Sequence, residues 1–132
     1  AKAMGKPIMI DFTGHSCANC RKMESEVLSQ PQVSKMLHND FVVASLYVDE
    51  KKELPDSEKY VSTFDQSPKN TVGDKNLDFE AIIANSNSQP QDIFTDETGK
   101  MRKNAGGYDS DIQRFISILD YVKAENQKRF PQ

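Results

Sequence analysis

The chain has 132 residues, 36% of them apolar and 28% charged, and its 17 basic against 20 acidic side chains leave a net charge of −3. That length fits one domain with one core, spanning 1–132. The longest largely apolar stretch, Phe41 to Leu46, falls far short of the ~20 residues a membrane helix needs; the charge gives no pull toward nucleic acid or anionic lipid; and two cysteines cannot staple a disulfide-built miniature fold.

Gly5 and Pro7 punctuate the start, and Ile8-Met9-Ile10-Asp11-Phe12 then reads as a short strand buried on both faces. Thr13 to Ser16 is a turn. A helical pattern follows, with Cys17, Cys20, Met23 and Val27 recurring on one face. Ser29-Gln30-Pro31-Gln32 breaks that helix and starts another, with Ser29 the expected N-cap, Gln32 at the capping-box position, and Val33, Met36 and Leu37 on the apolar side. Phe41 to Val48, β-branched and aromatic, is the clearest strand.

At Asp49 the composition changes: only six of the thirty residues through Asp78 are apolar. The segment 49–78 reads as an extended, partly helical surface insertion. A short helix is expected over Leu77 to Ala84, then a polar turn to Pro90 and a strand over Gln91 to Thr95. Asp96 to Gly99 forms a hairpin turn into Met101 to Asn104. Asp109 or Ser110 should cap a last helix striped by Ile112, Phe115, Ile116, Leu119 and Val122, with Tyr108 sealing the core beside it or, as the alternative, flanking the cysteines. The chain opens at Ala1 without an initiator Met, so it is expected to be a piece of something longer, and the lack of a cleavable signal does not place it in the cytosol.

The chemistry sits in Cys17-Ala18-Asn19-Cys20, at the mouth of a helix that follows a strand. Unpaired N–H groups and the dipole at a helix N-terminus favour an anion, so the Cys17 thiolate is stabilised. Cys20 lies almost one turn further in, more buried, and close enough to close a small disulfide ring. An exposed acidic thiol with a resolving partner is the minimum apparatus for thiol–disulfide exchange. Other readings stay open. A purely structural bridge across so short a loop would constrain little chain entropy. A zinc or copper site has three potential ligands in His15, Cys17 and Cys20 and lacks a fourth. Haem attachment would need His after Cys20, where Arg21 stands.

The run Asp11-Phe12-Thr13-Gly14-His15-Ser16-Cys17-Ala18-Asn19-Cys20-Arg21-Lys22-Met23-Glu24 resembles the active-site segment of thioredoxin-fold proteins. It is most similar to the C-terminal extracytoplasmic domain of the membrane thiol reductase DsbD, a family of thiol:disulfide interchange and cytochrome c biogenesis proteins. Gly5 to Asp11, Ser29 to Val33, Asn87 to Pro90 and Gly107 to Asp109 share the resemblance, which leaves out the insertion. It implies an α/β thioredoxin-like fold: a central mixed sheet of about four strands flanked by helices. The first strand of a full thioredoxin is missing, and Ala1 to Lys6 is a helix remnant.

The same resemblance implies roles. Cys17 matches the nucleophile and Cys20 the resolving thiol. Asp11 matches an acid beneath the disulfide, raised by desolvation and able to trade a proton with Cys20. Glu24, on residue pattern alone an ordinary surface charge, matches a second acid that keeps the thiols protonated. Pro90 matches a cis-proline that presents the Gln89 backbone to an incoming chain. Ser16 stands where many thioredoxins carry Trp, so the apolar lip of the substrate-binding site is weaker. No cation lies between the cysteines, which argues against a strong oxidant.

The expected function is thiol–disulfide exchange in the periplasm or another extracytoplasmic space, as a monomeric reductant of protein disulfides. An upstream membrane dithiol would recharge it, with no organic cofactor, no metal and no nucleic-acid partner. The alternatives are a disulfide isomerase or mild oxidant, and a metal-binding or non-catalytic binding module.

Overall fold

A computed structural model describes residues 5–129. β1 (Ile8–Thr13) runs parallel to β2 (Val42–Tyr47) and antiparallel to β5 (Gln91–Thr95), which pairs antiparallel with β6 (Met101–Gly106). The resulting four-stranded mixed sheet has the order β2-β1-β5-β6. Strand side chains alternate between faces, and here the alternation sorts two cores. Met9 and Phe94 face one side, packed with Met23, Val27, Val33, Leu37, Phe115 and Leu119. Ile10, Phe12 and Ile93 face the other, against Ile83 and Ala84.

The first face is covered by α1 (Ala18–Met23) with the π-helical turn Glu24–Leu28 that extends it, by α2 (Pro31–Asp40) and by α4 (Ile112–Arg129). The second is covered by α3 (Val72–Ala84). Helices on both faces of a mixed sheet are the expected α/β architecture, and each fully buried side chain such as Phe115 or Leu119 contributes ~1.5–3 kcal/mol. The expected helix remnant over Ala1 to Lys6 lies outside the described residues except for Gly5 and Lys6, which are not helical.

Several boundaries differ from the sequence expectation, each for a local reason. Ser29 is not the cap of α2: it stays in helical conformation, with its hydroxyl donating back to the Ser25 carbonyl at 2.7 Å. Gln30 takes the N-cap position with extended backbone and Pro31 starts the helix, because the residue before a proline is pushed away from the α region. The cap of α4 is Asp111, whose Oδ1 accepts from Arg114 N at 3.0 Å; Asp109 instead accepts from Asp111 N at 2.9 Å. Tyr108 does not seal the core. Its ring is exposed, its hydroxyl donates to Glu26 at 2.8 Å, and Lys22 Nζ lies 6.0 Å from the ring centroid.

The largest difference is α3, which begins at Val72 rather than Leu77. Thr71 and Asp74 form a reciprocal capping box, a device that satisfies two otherwise unpaired N–H groups. The helix therefore reaches back into the polar segment. Before it come a 3₁₀ turn (Asp56–Glu58) and a short antiparallel pair, β3 (Tyr60–Val61) with β4 (Pro68–Lys69). Polar contacts hold this part: buried Asp78 accepts from Tyr60 Oη at 2.8 Å and Ser62 Oγ at 2.5 Å. Lys69, also buried, reaches Asp65 at 2.8 Å.

Candidate active site

β1 ends at Thr13, and the chain turns through Gly14-His15-Ser16 into α1. Cys17 is the N-cap of that helix, its sulfur accepting from Cys20 N at 3.1 Å, and the two cysteines form a disulfide with Cα atoms 5.2 Å apart. Their surroundings differ: Cys17 is half-buried, whereas Cys20 is 1% exposed. The less buried cysteine is thus the one at the helix mouth.

The turn ahead of Cys17 is fixed by the residues after β2. Asp49 accepts backbone N–H groups from His15 at 2.9 Å and Ser16 at 3.3 Å. The His15 hydrogen bond, aided by that of Ser16, holds the Asp49 carboxyl below its ordinary value against an opposing push from burial. The His15 ring stacks on Tyr47 with centroids 4.2 Å apart, and its Nε2 lies 2.9 Å from Glu50. Gly73 secures the base of this arrangement. Its N–H donates to Glu50 O at 3.0 Å, and a Cβ there would sit 2.7 Å from backbone atoms of Glu50 and Val48.

Asp11 lies on β1, 6% exposed, on the same face as Met9 and hence the face α1 covers. Its direct cross-strand partner is Asp92 on β5. Asp92 is 1% exposed, and burial first, then the adjacent Asp11 carboxyl, push its own carboxyl well above the ordinary range. Glu24 lies on the other flank, half-exposed and paired with Arg21 at 2.8 Å, while the same guanidinium nitrogen reaches Thr13 Oγ1 at 3.1 Å. Glu24 therefore faces a cation at the surface.

The Gln89–Pro90 peptide is cis. Phe12 pairs with Gln91 in the β1–β5 register, so Pro90 sits beside the end of β1 from which the chain turns toward Cys17. Gln89 Nε2 donates to Glu80 Oε1 at 2.7 Å. Glu80 is fully buried; desolvation raises its carboxyl to about 7 against the lowering effect of the Gln89 bond. Ser16 is exposed, next in the chain to Cys17. Among the described residues, no three His, Cys, Asp or Glu side chains converge as a metal-ligand set.

Sequence reasoning missed three groups here: Asp49, Glu80 and Asp92. Glu80 left a signal, since it falls three residues after Leu77 and three before Ile83, within the apolar stripe of α3. Asp49 was hidden inside the polar insertion, and Asp92 inside a strand with several polar residues.

Comparison with known proteins agrees with this geometry. No curated protein matches the sequence. Among solved structures, the chain is similar to the oxidoreductase DsbH, at 19% identity over 93% of this chain and 76% of that one, with a TM-score of 0.67. A thioredoxin from Thermus thermophilus matches at 25% identity over 96% of this chain and 80% of that one, TM-score 0.65. The reduced C-terminal domain of DsbD from Neisseria meningitidis matches at 15% identity over 89% and 82%, TM-score 0.52. The sequence profile of thioredoxin-like domains covers residues 1–123. With the sheet order, the helices on both faces and the Cys17–Cys20 disulfide at the mouth of α1, this places the chain in the family of thioredoxin-like domains.

Proposed function

We propose that the protein is a thiol–disulfide oxidoreductase working outside the cytoplasm, as a reductant of partner disulfides. The observation that carries this reading is the unequal burial of a disulfide-bonded pair at the start of α1, with Cys17 half-buried and Cys20 sealed. Reduced, Cys17 at the N-cap receives the Cys20 N–H, a donor that stabilises a thiolate. It attacks a partner disulfide and forms a mixed disulfide. Cys20 then attacks Cys17 sulfur, releases the reduced partner and closes the bridge. An upstream dithiol, in a membrane domain, restores the reduced form.

In this reading Asp11 exchanges a proton with Cys20, and Glu24 adds negative charge on the far side of Arg21. The backbone of Gln89 and Pro90 receives the partner chain edge-on, with Ser16 at the open rim. The reductant direction is supported by the absence of a cation between the cysteines, since oxidising members of such systems owe their potential to a strongly stabilised thiolate.

The test is the reduction potential together with insulin reduction. A value near −270 mV, about that of thioredoxin, is expected; a value near −120 mV would overturn the reductant assignment. Cys17→Ser should abolish turnover, and Cys20→Ala should accumulate mixed disulfides with captured partners. Insulin reduction surviving Cys17→Ser sinks the mechanism.

A further inference from the structure

Asp92 has no place in the scheme above, yet its position is hard to account for otherwise. It is 1% exposed, and among the described residues no N–H or O–H donates to either of its carboxyl oxygens. An ionised carboxylate so placed would carry the full cost of desolvation without a compensating hydrogen bond. The group beside it is another carboxyl: Asp11 stands directly opposite in the β1–β5 register. Both residues lie on the sheet face that carries Met9 and Phe94, the face on which Cys20 and Met23 of α1 are buried.

Two carboxyls in contact away from water relieve both problems by sharing a proton: one becomes the missing donor, the other keeps the charge. The surrounding charges do not offer another solution. From α1, the Arg21 guanidinium is engaged by Thr13 and Glu24. From α4, Arg114 donates to the Ala105 carbonyl and approaches Asp109. From the π-helical turn, Glu26 takes the Tyr108 hydroxyl. On β6, Lys103, in register with Phe94, holds its Nζ 5.7 Å from the Tyr121 ring centroid, while Asn104 Oδ1 accepts from Gln91 and Gly106, and on β2 the residue in register with Asp11 is the uncharged Ser45.

We propose that Asp11 and Asp92 hold one proton between them, and that this pair rather than Asp11 alone is the proton reserve serving Cys20. Asp92, the deeper member, is a positioning residue: it carries the shared proton and directs that O–H toward Asp11 as a hydrogen bond, leaving Asp11 as the ionised base. The inference rests on the redox reading above. When Cys20 attacks Cys17 in a mixed disulfide, the Cys20 S–H bond breaks and its proton passes to Asp11. The Cys20–Cys17 bond forms, the bond from Cys17 to the partner breaks, and the partner sulfur leaves with the electron pair as a thiolate. The pair then holds two protons, and Asp11, with its 6% exposure, returns one to water.

The experiment is a carboxyl ¹³C NMR titration of the oxidised protein, paired with the pH profile of mixed-disulfide resolution against a small aryl disulfide. In the wild type, the Asp11 and Asp92 carbons should each report both protonation steps. Asp11→Asn should lower the Asp92 midpoint by at least about one pH unit, the scale of coupling that makes such steps joint. The resolution rate should show an alkaline inflection that Asp92→Asn removes. Independent single-step titrations in the wild type, which need no variant, overturn the shared proton, as does an inflection that survives Asp92→Asn. Coupled titrations in a protein that performs no thiol exchange overturn the redox reading and the service to Cys20 while leaving the pair itself standing.

Discussion

Three buried acids, Asp11, Asp92 and Glu80, differ in how legible they are in the sequence, and the difference follows from how anomalous each is. Asp11 stands out because a carboxylate amid Ile8, Met9, Ile10 and Phe12 breaks an apolar run. Asp92 does not, because Gln91 and Thr95 make β5 look half polar, although all five of its residues are buried. Only pairing with Asp11 reveals it. Glu80 is intermediate: its helical spacing is that of a core residue, but the donor to its Oε1 comes from Gln89, which no spacing rule links to it, and its buried Oε2 has no donor among the described residues. Its raised carboxyl has a thermodynamic consequence. The folded protein holds that proton from the ordinary value of 4.5 up to about 7, so stability is fully present below the lower value and falls as pH rises through this window. Glu80→Gln, which cannot ionise, should gain on the wild type across the same interval, by on the order of 3 kcal/mol at its upper end. Chemical denaturation at pH 4.5 and pH 8 checks this; a difference that does not change with pH refutes it.

Elements were legible wherever periodicity was long and unambiguous. β1, β2, β5 and the stripe of α4 follow from their apolar patterns. The starts of helices were harder, because several capping residues compete within a few positions: Asp109, Ser110 and Asp111 all qualify by type, and only the hydrogen bond to Arg114 N distinguishes them. For α3 the apolar stripe begins late, while its first turn is set by the Thr71–Asp74 box and by Gly73. That turn also couples the element to the site. With a Cβ at Gly73 placed 2.7 Å from the Val48 and Glu50 backbone, Gly73→Ala should force α3 away from the segment that carries Asp49, destabilising by about 1–3 kcal/mol. The same displacement should loosen the hydrogen bonds that the His15 and Ser16 N–H groups donate to Asp49, visible as faster amide exchange at those two residues. Unchanged exchange there would show that the turn before Cys17 does not depend on α3.

Across the whole molecule, the polar composition has a structural location. The segment between β2 and α3 is kept in place less by apolar burial than by Asp78 with Tyr60 and Ser62, and by Lys69 with Asp65. The two cores on either side of the sheet follow an ordinary apolar pattern, which is why the fold was readable despite that segment. Far along the chain from the cysteines, a second polar knot joins the β5–β6 turn to the end of α4 through Arg129, Glu97 and Asp96. Burial would raise the Asp96 carboxyl, but donors from Thr98 and Lys100 and the Arg129 charge more than offset it, holding it at about 2. The sulfurs have a practical consequence of their own. Because Cys17 is only half-buried and Cys20 is 1% exposed, the reduced native protein should take up one bulky maleimide quickly and a second only on unfolding. Intact-mass spectrometry would then report oxidised, reduced and unfolded populations as zero, one and two adducts, so the molecule carries a built-in gauge of its own state.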